Sequence, residues 1–234
     1  MSMNRRSFLA AGAAASLAAC TQPTAEAVTR VPSPVTEPIP PLPAFYGAVE
    51  GEPYPVPAVP EGIVPQRLWR QEVDNPYPQE PEGTIIVDPD AGYLHLVLCP
   101  ERALRYGAGT GAAAFSWSGI ARLQYSREWP RWKVPDSMAE RRPELEPYTV
   151  ANGGMDPGPG NPLGARALYL FQNGQDTLYR IHGACEPEHL GKAVSSGCIR
   201  LLDQDAIDLY DRAKQGTRVW VLPSLKPQRL GALY

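Results

Sequence analysis

The chain has 234 residues, 43% hydrophobic and 20% charged, an ordinary balance for a folded domain that excludes a wholly disordered chain. Its net charge of −3 lacks the basic excess of a general nucleic-acid binder, and no apolar run reaches the ~18 residues of a bilayer span. Three His and four Cys, with no CxxC or HxxxH pairing, speak against a zinc site and imply no cofactor.

The first residues read as an address. Arg5 and Arg6 precede an apolar stretch from Phe8 to Ala19, the layout of a secretory signal, and the arginine pair resembles a twin-arginine export signal. Leu17-Ala18-Ala19-Cys20 resembles a bacterial lipobox, which would make Cys20 the lipidated first residue and tie the protein to a membrane through that lipid. Ordinary cleavage after Ala25-Glu26-Ala27 is the competitor. Losing the two arginines takes the charge from −3 to −5, so the expectation is an acidic, exported, periplasmic protein.

Residues 20–65 hold twelve of the 27 prolines and read as an extended tether. A lead-in segment follows over 66–82, where Val64, Leu68, Trp69 and Val73 have the spacing of a turn or two of helix. From Gly83 the pattern becomes β. Thr84–Asp88 and Tyr93–Leu98 form a predicted hairpin, with Leu94, Leu96 and Leu98 on one face. Further strands are predicted over 102–106, 119–125, 167–171, 178–182 and 218–222. The irregular stretch Pro130–Pro162 is long enough to imply service to a site. A short turn is predicted near 188–194. One helix is well signalled: Asp203 as cap, Ala206, Leu209, Tyr210 and Ala213 on one face, and Gly216 as stop. The domain is thus expected over 83–223, with a tail over 224–234.

Two segments carry candidate chemistry. Tyr179-Arg180-Ile181-His182-Gly183 ends a strand in a histidine, and Ser195-Ser196-Gly197-Cys198-Ile199-Arg200 places a cysteine after a glycine. A Cys in such a turn can offer its sulfur and its own N–H to one carbonyl, as a nucleophile with an oxyanion hole does. A nearby His can activate the thiol. On pattern alone a small buried hydrophobic Cys is the commoner outcome.

These residues resemble the signature of the L,D-transpeptidases, the ErfK/YkuD-type catalytic domain: His-Gly, a variable run, then Ser-x-Gly-Cys-Ile/Val-Arg. Phe115–Gly119, Glu128–Trp132 and Gly158–Leu170 are similar to family segments as well, so the likeness runs from about Gly83 to Leu222. The resemblance implies a mainly β fold, a sandwich or barrel-like sheet with one helix near its C-terminal end and long loops. It implies Cys198 as nucleophile, His182 as base, the Gly183 carbonyl orienting the imidazole, and the N–H groups of Gly197 and Cys198 as oxyanion hole. Ser196 and Arg200 belong to the same motif, Arg200 bracing the loop or meeting a substrate carboxylate, and Tyr169 borders the acyl cleft.

The implied reaction is acyl transfer on peptidoglycan stem peptides. A tetrapeptide donor loses D-Ala, and the thioester passes to an amine, giving a 3–3 cross-link or an attached lipoprotein. A carbapenem is the implied covalent inhibitor. The alternatives are an L,D-carboxypeptidase or a peptidoglycan–lipoprotein hydrolase on the same scaffold, and, in another class, a non-catalytic peptidoglycan-binding module. The sequence departs from the family at Ser196, where many members have His, and at Ala184 and Cys185, where Thr-Asn is frequent. Cys185 reads first as a tolerated loop substitution; the sharper alternative is redox control through a Cys185–Cys198 disulfide, with Cys99–Cys185 a further pairing left open. His189 is the backup base, His95 is read as a strand residue, and Trp117 as core or cleft wall.

Overall fold

Ile85, Ile86 and Val87 are fully buried, a continuous apolar run with no polar face, as expected of a strand covered on both sides. In the computed structural model, which describes residues 40–111, 117–195 and 198–225, they form strand β2 (Ile85–Asp88) in the interior of a nine-stranded sheet. The other strands are β1 (Gln71–Asp74), β3 (Tyr93–Val97), β4 (Arg102–Gly107), β6 (Gly119–Glu128), β7 (Arg166–Gln172), β8 (Gln175–His182), β10 (Ile199–Arg200) and β11 (Arg218–Val221). Their order is β1-β4-β3-β2-β11-β6-β7-β8-β10. The pairings are antiparallel except β11 with β2 and β10 with β8. A two-stranded ribbon joins β5 (Thr110–Gly111) to β9 (Ala193–Ser195).

The sheet curls on itself. One apolar cluster draws Leu94 and Tyr106 from one half, Leu168 and Ile181 from the other, and Ala206 and Leu209 from helix α2 (Asp203–Arg212). Gly109, just beyond β4, makes a two-way backbone bridge with Arg200 of β10, at 2.8 Å in each direction. The two ends of the sheet therefore almost meet, and the mainly β, barrel-like architecture expected from the sequence is the one observed.

Ala206 and Leu209 are fully buried, and Tyr210 and Ala213 pack on the same core, so the helical face is as predicted. Asp203 does not cap the helix through its side chain: Leu202 occupies the cap position, and Asp203 Oδ1 instead accepts the N–H groups of Ala165 (2.8 Å) and Ala184 (3.1 Å). The helix ends at Arg212, short of Gly216, which sits in the following turn with φ +89°.

The described half of the proline-rich segment is not a free tether. Tyr46, Val56, Val59 and Val64 are buried. Tyr46 donates its hydroxyl to Asp205 (3.0 Å) and accepts the Arg70 N–H (2.7 Å). Proline excludes regular structure but not packing, and apolar residues between the prolines supply the contacts. Val64, Leu68 and Trp69 do pack together, around a 3₁₀ turn over Gln66–Leu68, while Val73 belongs to β1 rather than to a helix. The predicted turn near 188–194 resolves into a 3₁₀ turn at Pro187–His189 and strand β9. At the other end Leu225 N–H and Ser224 Oγ donate to Asp90, fastening the start of the tail to the β2–β3 turn. The leader, Cys20 and residues 226–234 lie outside the described residues.

Candidate active site

β8 ends in His182, a buried imidazole 3% exposed. Its Nδ1 lies 2.8 Å from the carbonyl oxygen of Gly183. An N–H there donates to the carbonyl and leaves Nε2 with the free lone pair. Gly183 is required for space: a Cβ would fall on Asp203 Oδ1, the oxygen that already holds the Ala165 and Ala184 amides. One carboxylate from the start of α2 thus fixes the turn beyond the histidine.

Cys198 stands immediately before β10, which pairs in parallel with β8 so that Arg200 lies opposite His182. Cys198, His182 and Arg200 line one hollow of about 560 Å³. Its remaining wall is largely apolar, including Trp132, Met138, Leu145 and Tyr179, with Arg141 and Arg142 also lining it and no acidic side chain among the described residues there. A second hollow of about 740 Å³ also reaches Cys198, along Tyr125, Arg127, Lys133, Tyr169 and Arg180. The two share Trp132, Pro135, Met138, Leu163, Leu178 and Cys198. The long stretch 130–162, with α1 (Asp136–Arg141), supplies much of both walls and so does border the candidate site.

Electrostatics favour neutral partners at rest. Burial, with Arg200 and Arg180 nearby, drives the His182 pKa down to about 3 against the pull of its Gly183 bond. Burial also raises the Cys198 thiol, while the backbone and charge of Arg180 oppose that rise. Both shifts favour the uncharged forms, a neutral imidazole and a thiol, in the hollow the two residues line.

The other sequence candidates scatter. Tyr169 borders the second hollow, stacked on Tyr125 at 4.4 Å with the Arg180 guanidinium over its other face at 4.5 Å. Ser196 and Gly197 lie outside the described residues. Arg200 makes a two-way backbone bridge with Gly109 and lines the first hollow. His189 lies in the turn Pro187–His189 and lines neither hollow; His95 is buried in β3, held by desolvation near pKa 4. Trp117 stacks on Tyr179 and packs against the core.

The Cys185–Cys198 pairing is not the arrangement observed: no disulfide joins Cys99, Cys185 and Cys198. Cys185 belongs to a separate apolar cluster with Tyr46, Leu68 and Leu190, and burial pushes its thiol up to about 12. A thiol so placed is inert and does not face Cys198 within either hollow. Cys99 is half-buried in the turn after β3 rather than late in the strand.

Sequence reasoning missed Leu178, Met138, Arg141 and Arg142. Leu178 is 59% exposed, borders both hollows and has φ +62°, left-handed backbone that a leucine rarely adopts. The register shift in the β7–β8 pairing, between Tyr169 and Phe171, puts it there. No residue pattern announces such a bulge.

A curled β-sheet carrying a buried histidine and a cysteine on adjacent parallel strand ends, under a long loop, defines the class. The family model for the L,D-transpeptidase catalytic domain matches residues 82–221. The chain belongs to that family. A probable L,D-transpeptidase ErfK/SrfK of Salmonella typhimurium is 32% identical over 120 residues, 51% of this chain and 36% of its own length. A probable L,D-transpeptidase YbiS of Escherichia coli is 34% identical over 99 residues, 42% of this chain and 30% of its own. The chain spans less than half the length of the curated relatives it matches. A solved chain from Brucella melitensis, described as a probable carnitine operon oxidoreductase, is 43% identical, with 65% of this chain and 92% of that chain covered and a TM-score of 0.46.

Proposed function

We propose that this domain transfers acyl groups on peptidoglycan stem peptides by cysteine catalysis. The observation that supports it most is the shared hollow of His182 and Cys198, with the imidazole held by Gly183 so that Nε2 is free. When a donor carbonyl enters, His182 takes the thiol proton and Cys198 Sγ bonds to the carbonyl carbon of the third stem residue. The N–H groups of Cys198 and Gly197 hold the oxyanion. His182 returns the proton to the departing amine as D-Ala leaves. An acceptor amine, its proton passed to His182, then breaks the thioester.

The meeting of two hollows at one sulfur favours transfer over hydrolysis. A two-substrate reaction needs separate approaches for donor and acceptor, and a single arm would suffice if water were the acceptor. The products on this reading are 3–3 cross-links, or a lipoprotein attached through a lysine amine. The setting is the periplasm, after export by the leader, with Cys20 lipidated as membrane anchor.

Intact-mass measurement after incubation with a carbapenem tests the nucleophile. We expect one adduct on the wild-type protein and none on Cys198→Ala. A folded wild-type protein that takes no adduct would favour a binding module.

A further inference from the structure

The stretch 130–162 that walls both hollows has two feet, Trp129 and Ala165-Arg166, joined by a bond from the Trp129 N–H to the Ala165 carbonyl (2.8 Å). A single side chain from the N-terminal arm grips both. Glu52 Oε2 accepts the indole N–H of Trp129 at 2.6 Å and Arg166 Nη1 at 2.9 Å, while Oε1 takes Arg166 Nη2 at 2.6 Å. The Glu52 and Arg166 side chains are only 12% and 7% exposed. Beside this contact Tyr54 lies 5.0 Å from the Trp129 ring, and Gly158 leaves room for it, since a Cβ there would come within 3.0 Å of the phenol ring. Val56 packs with Trp129 and Ala165.

Trp129 has φ 40°, an outlier for a bulky residue that persists only where its surroundings over-determine it. Those surroundings include Ala165, within the family match, and Glu52, Tyr54 and Val56, which lie before its start at residue 82. The arm is fixed elsewhere without help from Glu52, through Tyr46 to Asp205 and through Gln204 to the Gly47 and Pro57 carbonyls.

We propose that Glu52 is a positioning residue: it clasps both feet of the 130–162 loop and so holds the cleft walls over Cys198 in their donor-binding arrangement. Among the described residues Glu52 is the side chain that bonds both Trp129 and Arg166, beside the Ala165 carbonyl, which accepts the Trp129 N–H and Arg166 Nη1 (2.9 Å), and removing its charge leaves a buried guanidinium without its carboxylate. The effect on turnover rests on the acyl-transfer reading above. The effect on the loop does not.

The test compares Glu52→Gln with Tyr46→Phe, which loosens the same arm at its other anchor, in the full-length protein. The loop carries Arg131, Lys133 and Arg141 as trypsin sites. Glu52→Gln is expected to speed native-state cleavage there about tenfold. It is expected to raise the donor KM roughly fivefold with kcat nearly unchanged, and to leave iodoacetamide alkylation of Cys198 at the wild-type rate. Tyr46→Phe is expected to lower the melting temperature while leaving loop cleavage and KM alone. Trp129→Phe, which removes the indole donor together with part of the ring, serves if Glu52→Gln does not fold, and is expected to shift both readouts in the same direction.

Unchanged loop cleavage in Glu52→Gln overturns the clasp. Cleavage and KM that follow melting temperature alike in both variants reduce Glu52 to a stability residue and overturn the positioning role, as does a loosened loop with unchanged donor KM. If the wild-type protein turns over no stem peptide, the acyl-transfer reading falls, and trypsin alone decides the clasp.

Discussion

His182 Nδ1 sits 2.8 Å from the carbonyl oxygen of Gly183, its own neighbour in the chain. The imidazole, the base on the proposed mechanism, is therefore oriented by backbone, and its aim depends on the turn that Asp203 fixes. Gly183→Ala puts a methyl against Asp203 Oδ1. We expect a stability loss of about 1–3 kcal/mol, the usual cost of overpacking. Misaiming the imidazole should also lower kcat/KM by at least about tenfold. Denaturant titration alongside carbapenem acylation rates checks both. Wild-type acylation in this variant would show that the turn does not set the base.

The neutral resting pair predicts a distinctive pH response. His182 keeps its lone pair down to about pH 3, so acylation should show no acid limb near the ordinary histidine value of 6.5. The raised Cys198 thiol predicts that alkylation of the free enzyme climbs only above the ordinary thiol value of 9.0. Rates measured from pH 4 to pH 10 decide this. Rapid alkylation on a plateau below pH 7 would reveal a resting thiolate–imidazolium pair and contradict the account.

Stability should fall as the pH rises through neutrality, because of Asp205. Burial pushes its carboxyl up to about 7, against the opposing pull of Arg70 and the Tyr46 hydroxyl and with Asp208 adding to the rise. A folded pKa above the unfolded 3.8 means that the folded state holds the extra proton between these values. The stability so gained is complete below pH 3.8 and is lost as the pH climbs through 7. His182 and His95 work in the other direction, with stability lost as the pH falls from 6.5 toward 3 and 4, so the Asp205 loss stands alone only above pH 6.5. Asp205→Asn should flatten the loss on the neutral side. Melting temperatures of the two proteins from pH 5 to pH 8.5 check this, and parallel curves would contradict it.

Leu178 holds an unfavourable backbone conformation while exposing its side chain between the two arms of the cleft. Leu178→Gly removes strain worth about 1–2 kcal/mol. It adds back about 0.5–1 kcal/mol of chain entropy cost. Folding stability should therefore stay level or rise slightly. Loss of the apolar contact should raise the donor KM roughly tenfold. A stability loss with unchanged KM would make Leu178 a packing residue.

The strands legible in the sequence were those whose burial follows their residues. β2 is β-branched up to its last residue, Asp88, and β3 and β7 carry apolar residues of the core. β1 was hidden because Gln71-Glu72-Val73-Asp74 is a polar edge strand, held to β4 by Arg102 pairing with Glu72 and Asp74. β10 is too short to leave a pattern. His182 and Cys198 were legible because a glycine adjoins each in a motif the chain resembles. Their walls were not, since Leu178 depends on a bulge and Glu52 on packing across 114 positions to Arg166. Proline content describes the arm's backbone and says nothing of Tyr46 or Glu52, whose partners lie in distant sequence.

The central claim is acyl transfer through Cys198, and its most direct test is product analysis. The full-length protein is incubated with tetrapeptide-rich muropeptides, with Cys198→Ala as control, and products are read by mass spectrometry. The account predicts Cys198-dependent dimers that have lost one D-Ala. Tripeptides without dimers would contradict transfer to a second stem and make water the acceptor. No Cys198-dependent product would contradict the account as a whole.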